Sequence, residues 1–269
     1  MFEQAEWIWK SRSFESNSYG WFFKYVNIQQ SILGASLSIS AHNHFKLQIN
    51  GHLVSGYVSP APSTIPANKL SLTYDVKPFL NIGINLIEVI VLYLGGSGQN
   101  YQDGIPGFIL EGDIQTQQGT ISLQSDLSWK AYKTIPYQDN MPFQQSRSIT
   151  PVEFYDQTIE RQPNQSHDVV ILDVPYRYHQ QLIPEGHIYE VIKPKMIYSD
   201  EKVKVFDCGR IVSGFPQVIL HAKKEEILTL RYSEDLDQHR VKHNVANEPS
   251  EHYCDHIKVM ANQDTRHAF

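Results

Sequence analysis

Two short stretches hold residues whose types and spacing could do metal chemistry. In "ISAHNHFKLQING", His42 and His44 flank Asn43. Residues two apart on a strand point to the same face, so both imidazoles would face one way, as Zn²⁺ or Fe²⁺ would need. A metal would still require further ligands converging from elsewhere. The plain alternative is a pair of polar residues at a strand entrance. In "EHYCDHIKV", His252, Cys254 and His256 alternate, so on a strand all three share a side. Imidazole and thiolate are both good zinc ligands, but no motif supplies a fourth. The same register also fits Cys254 as a small buried hydrophobe with two histidines at the sheet margin.

Carboxylates give less. Glycoside hydrolysis uses two of them across a cleft, about 5 to 9 Å apart. The chain has 29 acidic residues, and none lies in a motif that fixes such a pair. There is no nucleophile elbow, glycine-rich phosphate loop or HExxH sequence. Aromatic residues are the richer signal. Trp7 and Trp9 share one strand parity, and Trp21, Phe23 and Tyr25 share another. Such rings contribute large apolar area to a core, and they also make stacking platforms for sugars.

The elements that would position these residues are strands. Helical periodicity is nearly absent. "FKLQIN" sets Phe45, Leu47 and Ile49 on one face and Lys46 and Gln48 on the other. Asn50-Gly51 follows, a strong signal for a two-residue hairpin, because a type I′ turn needs positive φ at both positions. "NLIEVIVLYLG" reads as a long buried strand. "GFILEGDI", "TISLQSD" and "WKAYKTI" continue the series to about residue 135. Residues 136–168 are polar and rich in Gln, Asn and Pro, which suits a linker over a surface. "VVILDV", "KVKVFDCG", "PQVILHA" and "EILTLRYSE" then resume the strand pattern. The pattern predicts an all-β chain of two β-sandwich, jelly-roll-like domains with a boundary near residue 165.

Bulk properties narrow the classes. The 269 residues carry a formal charge of −6 with no basic run, which argues against nucleic acid. No apolar run is long enough to span a membrane. The first residues lack the features of a secretory signal. Two cysteines, Cys208 and Cys254, make no disulfide framework. A cytoplasmic location is the simplest expectation.

Several pieces, in order, resemble the N-terminal region of bacterial α-L-rhamnosidases. "WIWK" stands near the start. "ISAHNHFKLQINGHLV" is similar to the family's hairpin, and "YDVKPFLNIGINLIEVIVLYLG" to the stretch that follows it. "SDLSWKAY", "EFYDQTIE", "VFDCGRIVSGFPQVIL" and "LRYSEDLD" match later strings. The resemblance implies a galactose-binding-like β-sandwich with a trailing linker at 1–164. It implies a second β-sandwich at 165–269, lacking a closing strand at its C-terminus. The family's acid and base carboxylates lie in a helical barrel, of which this sequence shows no sign. The chain alone would then carry no catalytic residue. A second sandwich short of one strand would expose an edge, and exposed edges pair with other chains. A homodimer through that unpaired edge, or poor order near residues 240–269, is the corresponding expectation.

In some family members an Asp-Asn pair opens the first-domain hairpin and helps to hold calcium and a terminal rhamnose. Asn43 occupies the second position here, but His42 occupies the first. A neutral imidazole is a poor ligand for a hard cation, which argues against calcium there. No other cofactor is expected. Asn43, with His42 and His44 beside it, remains the candidate contact for a rhamnose-containing glycan. Two other readings stand beside this one. One is a purely structural pair of sandwiches without a ligand. The other is a small metal-dependent β-barrel enzyme using His252, Cys254 and His256.

Overall fold

A computed structural model describes residues 2–63, 65–145, 150–219, 223, 225–237, 240–241, 244–245, 248–249, 254–260 and 264–266. Among them the structure is nearly all β, with one short 3₁₀ turn at Lys77–Phe79. Contacts group the chain into two compact units. One comprises Met1–Asn140 and Ile159–Gly186, the other Met141–Thr158 and His187–Phe269.

The first unit is a sandwich of two sheets. Its strands up to residue 132 are β1 (Ile8–Trp9), β2 (Ser18–Ile28), β3 (Ile32–Ala41), β4 (His44–Ile49), β5 (His52–Leu53), β6 (Asn68–Asp75), β7 (Gly83–Tyr93), β8 (Phe108–Thr116), β9 (Gly119–Gln124) and β10 (Lys130–Tyr132). The first sheet runs Val170–Ile171, β1, β8, β3, β6, Arg177–Gln180, with β9 also on β8. The second runs Ser166–Asp168, β10, β2, β7, β4, β5. Strand alternation selects the core. Leu37, Ile39 and Ala41 from β3 face Phe45, Leu47 and Ile49 from β4 and Ile87, Val89 and Val91 from β7, all buried. Trp9, Phe22, Phe108 and Trp129 fill the middle with rings. Asn50 and Gly51 adopt φ of 52° and 80°, the left-handed pair that a two-residue turn between β4 and β5 requires.

The sequence predicts one crossing between domains near residue 165. The chain instead passes between units at 140, 158 and 186. Strand pairing is the reason. Ser166–Asp168, Val170–Ile171 and Arg177–Gln180 complete the edges of the first unit's sheets. Phe154–Asp156, inside the expected linker, pairs in parallel with Cys254–Lys258 of the second unit. Polar composition made 136–168 look like a linker, but backbone pairing does not depend on side-chain polarity.

The second unit consists of small sheets. Cys254–Lys258 lies between Phe154–Asp156 and Ile227–Arg231, and other strands form pairs such as Lys195–Ser199 with Lys204–Asp207. Val152, Val205, Cys254, Ile257 and Val259 are its buried apolar residues among those described. Met196, Tyr198 and Phe206 are exposed. About half of the 240–269 segment that suggested a dimer edge lies outside the described residues.

Candidate functional site

The residues expected to do chemistry in the first unit sit at a corner. β3 belongs to the first sheet and β4 to the second, and His42-Asn43 carries the chain between them. His42 therefore lies outside the strand that contains His44, and the shared parity expected for the two imidazoles does not apply. The His42 N–H donates to the Gly107 carbonyl at 3.1 Å. Asn43 Oδ1 accepts from the Leu94 N–H at 2.9 Å, where the chain leaves β7. The Asn43 side chain is 2 % exposed, so this carbonyl acts as a buried backbone partner.

Around this corner lies a buried polar cluster. The His42 ring packs against Tyr93 at 5.6 Å and Tyr176 at 6.0 Å, and its Nδ1 is 3.2 Å from the Tyr176 hydroxyl. Gly104 closes over it: a Cβ there would lie 2.4 Å from His42 Cε1. The Tyr93 hydroxyl lies 2.9 Å from both Asp103 Oδ1 and the Gly104 carbonyl. His44 meets Tyr101 edge-on at 5.1 Å. His42 Nε2 and His44 Nδ1 are buried without a hydrogen-bond partner among the described residues. Burial pulls the His42 pKa down to about 3, with the Lys69 charge adding and Asp103 opposing. Burial, then Lys46, pulls His44 to about 4. Both rings are neutral at pH 7.

Lys69 is the unusual member. It is 5 % exposed, and no hydrogen bond or ion pair among the described residues engages its ammonium, which lies 4.6 Å above the Tyr176 ring. Burial lowers its pKa to about 8. A charge held in this way costs stability that a cation–π contact only partly offsets. Lys69→Met should therefore raise stability at pH 7 by about 1 kcal/mol, since it keeps the apolar stem and removes the charge. Chemical denaturation at pH 7 checks this. A lowered midpoint would mean that the ammonium is worth more than its desolvation.

In the second unit, Cys254 and His256 share a side as the alternation requires, with Cys254 Sγ 3.7 Å from His256 Nε2. His256 Nδ1 lies 3.0 Å from Thr229 Oγ1. His252 lies outside the described residues. Burial pushes the Cys254 thiol pKa up, which disfavours the thiolate that binds zinc. Among the described residues no three His, Cys, Asp or Glu side chains are grouped to hold a metal.

A second feature lies on the outer face of the second sheet. A cleft of about 240 Å³ is lined by Tyr19 and Trp21 of β2, Tyr132 of β10, Tyr137, and the polar Lys10, Asp139 and His167. Tyr19 and Tyr137 stack at 4.5 Å and 14°. Trp21 is 4 % exposed, and the Arg161 guanidinium sits 3.5 Å above its ring. Arg161 also approaches buried Glu88 at 3.9 Å, which accepts from the Tyr132 hydroxyl at 3.2 Å. Lys10 pairs with Asp139 at 2.5 Å, and Asp139 accepts the Tyr19 N–H at 2.7 Å. Of the aromatic residues singled out in the sequence, Trp21 lines this cleft, Phe23 is buried against Tyr132, and Tyr25 is exposed. Trp7 and Trp9 are buried.

No protein-family model matches the sequence, and no curated protein matches it. Solved structures do match. The native α-L-rhamnosidase of Aspergillus terreus superposes with a TM-score of 0.83 at 19 % identity, over 98 % of this chain and 32 % of that one. The α-L-rhamnosidase of Dictyoglumus thermophilum gives 0.79 at 19 % identity, again over 98 % of this chain and 32 % of its own. The Streptomyces avermitilis α-L-rhamnosidase, solved with L-rhamnose, gives 0.79 at 16 % identity over 94 % of this chain and 26 % of its own. This chain has the fold of part of an α-L-rhamnosidase. It spans about a third or less of the length of these structures. The rhamnosidase-like fold accounts for both units, since the superposition covers nearly the whole chain. No helix among the described residues is long and apolar enough to cross a membrane.

Trp21 was legible in the sequence as part of an aromatic strand face, and the rest of the cleft was not. Tyr137, Asp139 and His167 lie in or beside the stretch read as a linker. The one available signal was the run of alternating rings in "YGWFFKY", which leaves an aromatic outer face that something must cover.

Proposed function

We propose that this chain is the non-catalytic β-sandwich part of an α-L-rhamnosidase-like glycoside hydrolase, and that it positions or binds rhamnose-containing glycans. The observation that carries this reading is the superposition of 98 % of the chain on solved α-L-rhamnosidases. The nature of the fold adds to it: an all-β unit with a ring-lined cleft suits holding a sugar. Calcium forms no part of the proposal, because His42 stands where an oxygen donor would be needed.

One observation favours the second reading, a scaffold without a ligand. Asn43, the sequence candidate for sugar contact, is buried and has its carbonyl committed to Leu94. Titration calorimetry of the full chain with L-rhamnose, with and without calcium, separates the two. The expected result is saturable heat at millimolar sugar, independent of calcium. Flat traces under both conditions would leave the scaffold.

A further inference from the structure

The outer face of the second sheet carries more rings than a solvent-facing sheet needs, and the cleft above it is built from parts of the chain far apart in sequence. Lys10, Tyr19, Trp21, Tyr132, Tyr137, Asp139 and His167 come together there. We propose that this cleft, rather than the His42–His44 corner, is a binding site for a pyranose ring, either a free monosaccharide or the terminal residue of a glycan. The proposal rests on the glycan reading above and gives it a location.

Three features support it. The first is size and lining. About 240 Å³ is room for a single ring, well below the roughly 300 Å³ at which drug-sized pockets begin. The lining combines aromatic rings with a lysine, a carboxylate and a histidine, and a sugar has a surface for each kind. Its C–H faces pack on aromatic rings, and its hydroxyls both donate and accept.

The second is an unspent donor. Trp21 lines the cleft and is 4 % exposed, yet its Nε1–H is buried with no acceptor among the described residues. A buried donor without a partner costs stability, and a sugar hydroxyl would supply the missing acceptor. The third is preorganisation. Arg161 covers one face of Trp21, Glu88 approaches Arg161 and accepts from Tyr132, and the Lys10–Asp139 pair is anchored to the Tyr19 backbone. Each carboxylate oxygen of Asp139 accepts one protein bond and has a further lone pair for a sugar hydroxyl. Side chains fixed before binding lose little freedom when a ligand arrives.

The chain has four tryptophans, so ¹⁵N-indole labelling gives a small spectrum in which Trp21→Phe identifies one signal. The full chain would be titrated with L-rhamnose, D-galactose and D-glucose, with calorimetry in parallel. The expected result is a saturable downfield shift of the Trp21 indole signal with at least one sugar. Tyr137→Ala should weaken that sugar about tenfold, the effect of losing roughly 1.4 kcal/mol of ring contact. Tyr137 is half-buried, and an unchanged spectrum for the other three indoles would show that the variant is folded. Saturable binding that leaves the Trp21 signal in place and survives Tyr137→Ala would overturn the cleft but keep the glycan reading. Binding of that kind lost in a folded Asn43→Ala variant would return the site to the corner. No binding to any of the three sugars would overturn both proposals.

Discussion

Replacing Gly112 by alanine should prevent the first sheet from closing. Gly112 lies in β8 opposite Leu37 of β3 on one side and Leu123 of β9 on the other. A Cβ added there would sit 2.0 Å from the Ser36 carbonyl oxygen and 2.8 Å from Leu37 Cα. Both obstacles are backbone, so no rotamer change relieves them. Glycine inside a strand often marks such a close approach of another backbone. Overpacking a core costs about 1–3 kcal/mol when side chains can adjust. Here β3 itself must move, together with the β6 ladder on its far edge, so the cost should reach or exceed the top of that range. Gly34→Ala in β3 is the control, because its added Cβ would meet the flexible Gln115 side chain at 3.3 Å. Thermal melting of the two variants should show Gly112→Ala unfolded or strongly destabilised and Gly34→Ala close to wild type. Equal melting temperatures would show that β8 relaxes more readily than its pairing implies.

The second large effect should appear on mild acidification. His42 and His44 are neutral in the fold, with pKa values of about 3 and about 4, against about 6.5 in the unfolded chain. Between those values the unfolded state binds more protons, so stability is lost as pH falls. The full contribution is present above pH 6.5. At pH 5 the loss is about 2 kcal/mol for His42 and somewhat less for half-buried His44, at 1.36 kcal/mol per pH unit. The carboxylates of Asp126 and Asp156, held low by hydroxyl, backbone and lysine contacts, are lost in the same direction but only at lower pH. The window from pH 6.5 to 5 therefore isolates the imidazoles. Urea midpoints at pH 7 and pH 5 should differ clearly in wild type and much less in a folded His42→Gln, His44→Gln chain. A wild-type midpoint that does not move would mean that the two rings protonate without leaving the fold.

The strands of the first unit were legible because one face of each is buried. "FKLQIN" buries Phe45, Leu47 and Ile49 as its alternation demands, and Asn50-Gly51 makes the turn. The corner at His42-Asn43 was not legible. The apolar positions keep one parity on both sides of it, Ile39 and Ala41 before and Phe45 and Leu47 after, while the chain changes sheets, and periodicity carries no record of which sheet a strand joins. The cleft was hidden for a different reason. Lys10 and Asp139 are 129 residues apart, and Arg161 reaches Trp21 from a segment whose composition reads as surface. The interleaving of the units was hidden likewise, because Phe154–Asp156 finds its partner about 100 residues later.

That last pairing sets a timetable for synthesis. Loops of this length close slowly, since chain entropy is spent before any contact forms. As the polypeptide emerges from the ribosome, the first sandwich lacks its edge strands until residue 180 is out. The strand at Phe154–Asp156 must then wait, unpaired, for Cys254–Lys258. Through that interval an open strand edge stands beside a finished domain, where another nascent chain or a chaperone can reach it. A stop codon placed after residue 186 would yield the first unit with the 141–158 segment still attached and without the chain it pairs with. Removing that segment as an internal loop, not shortening the gene from its end, is the cut that would respect how this protein is assembled.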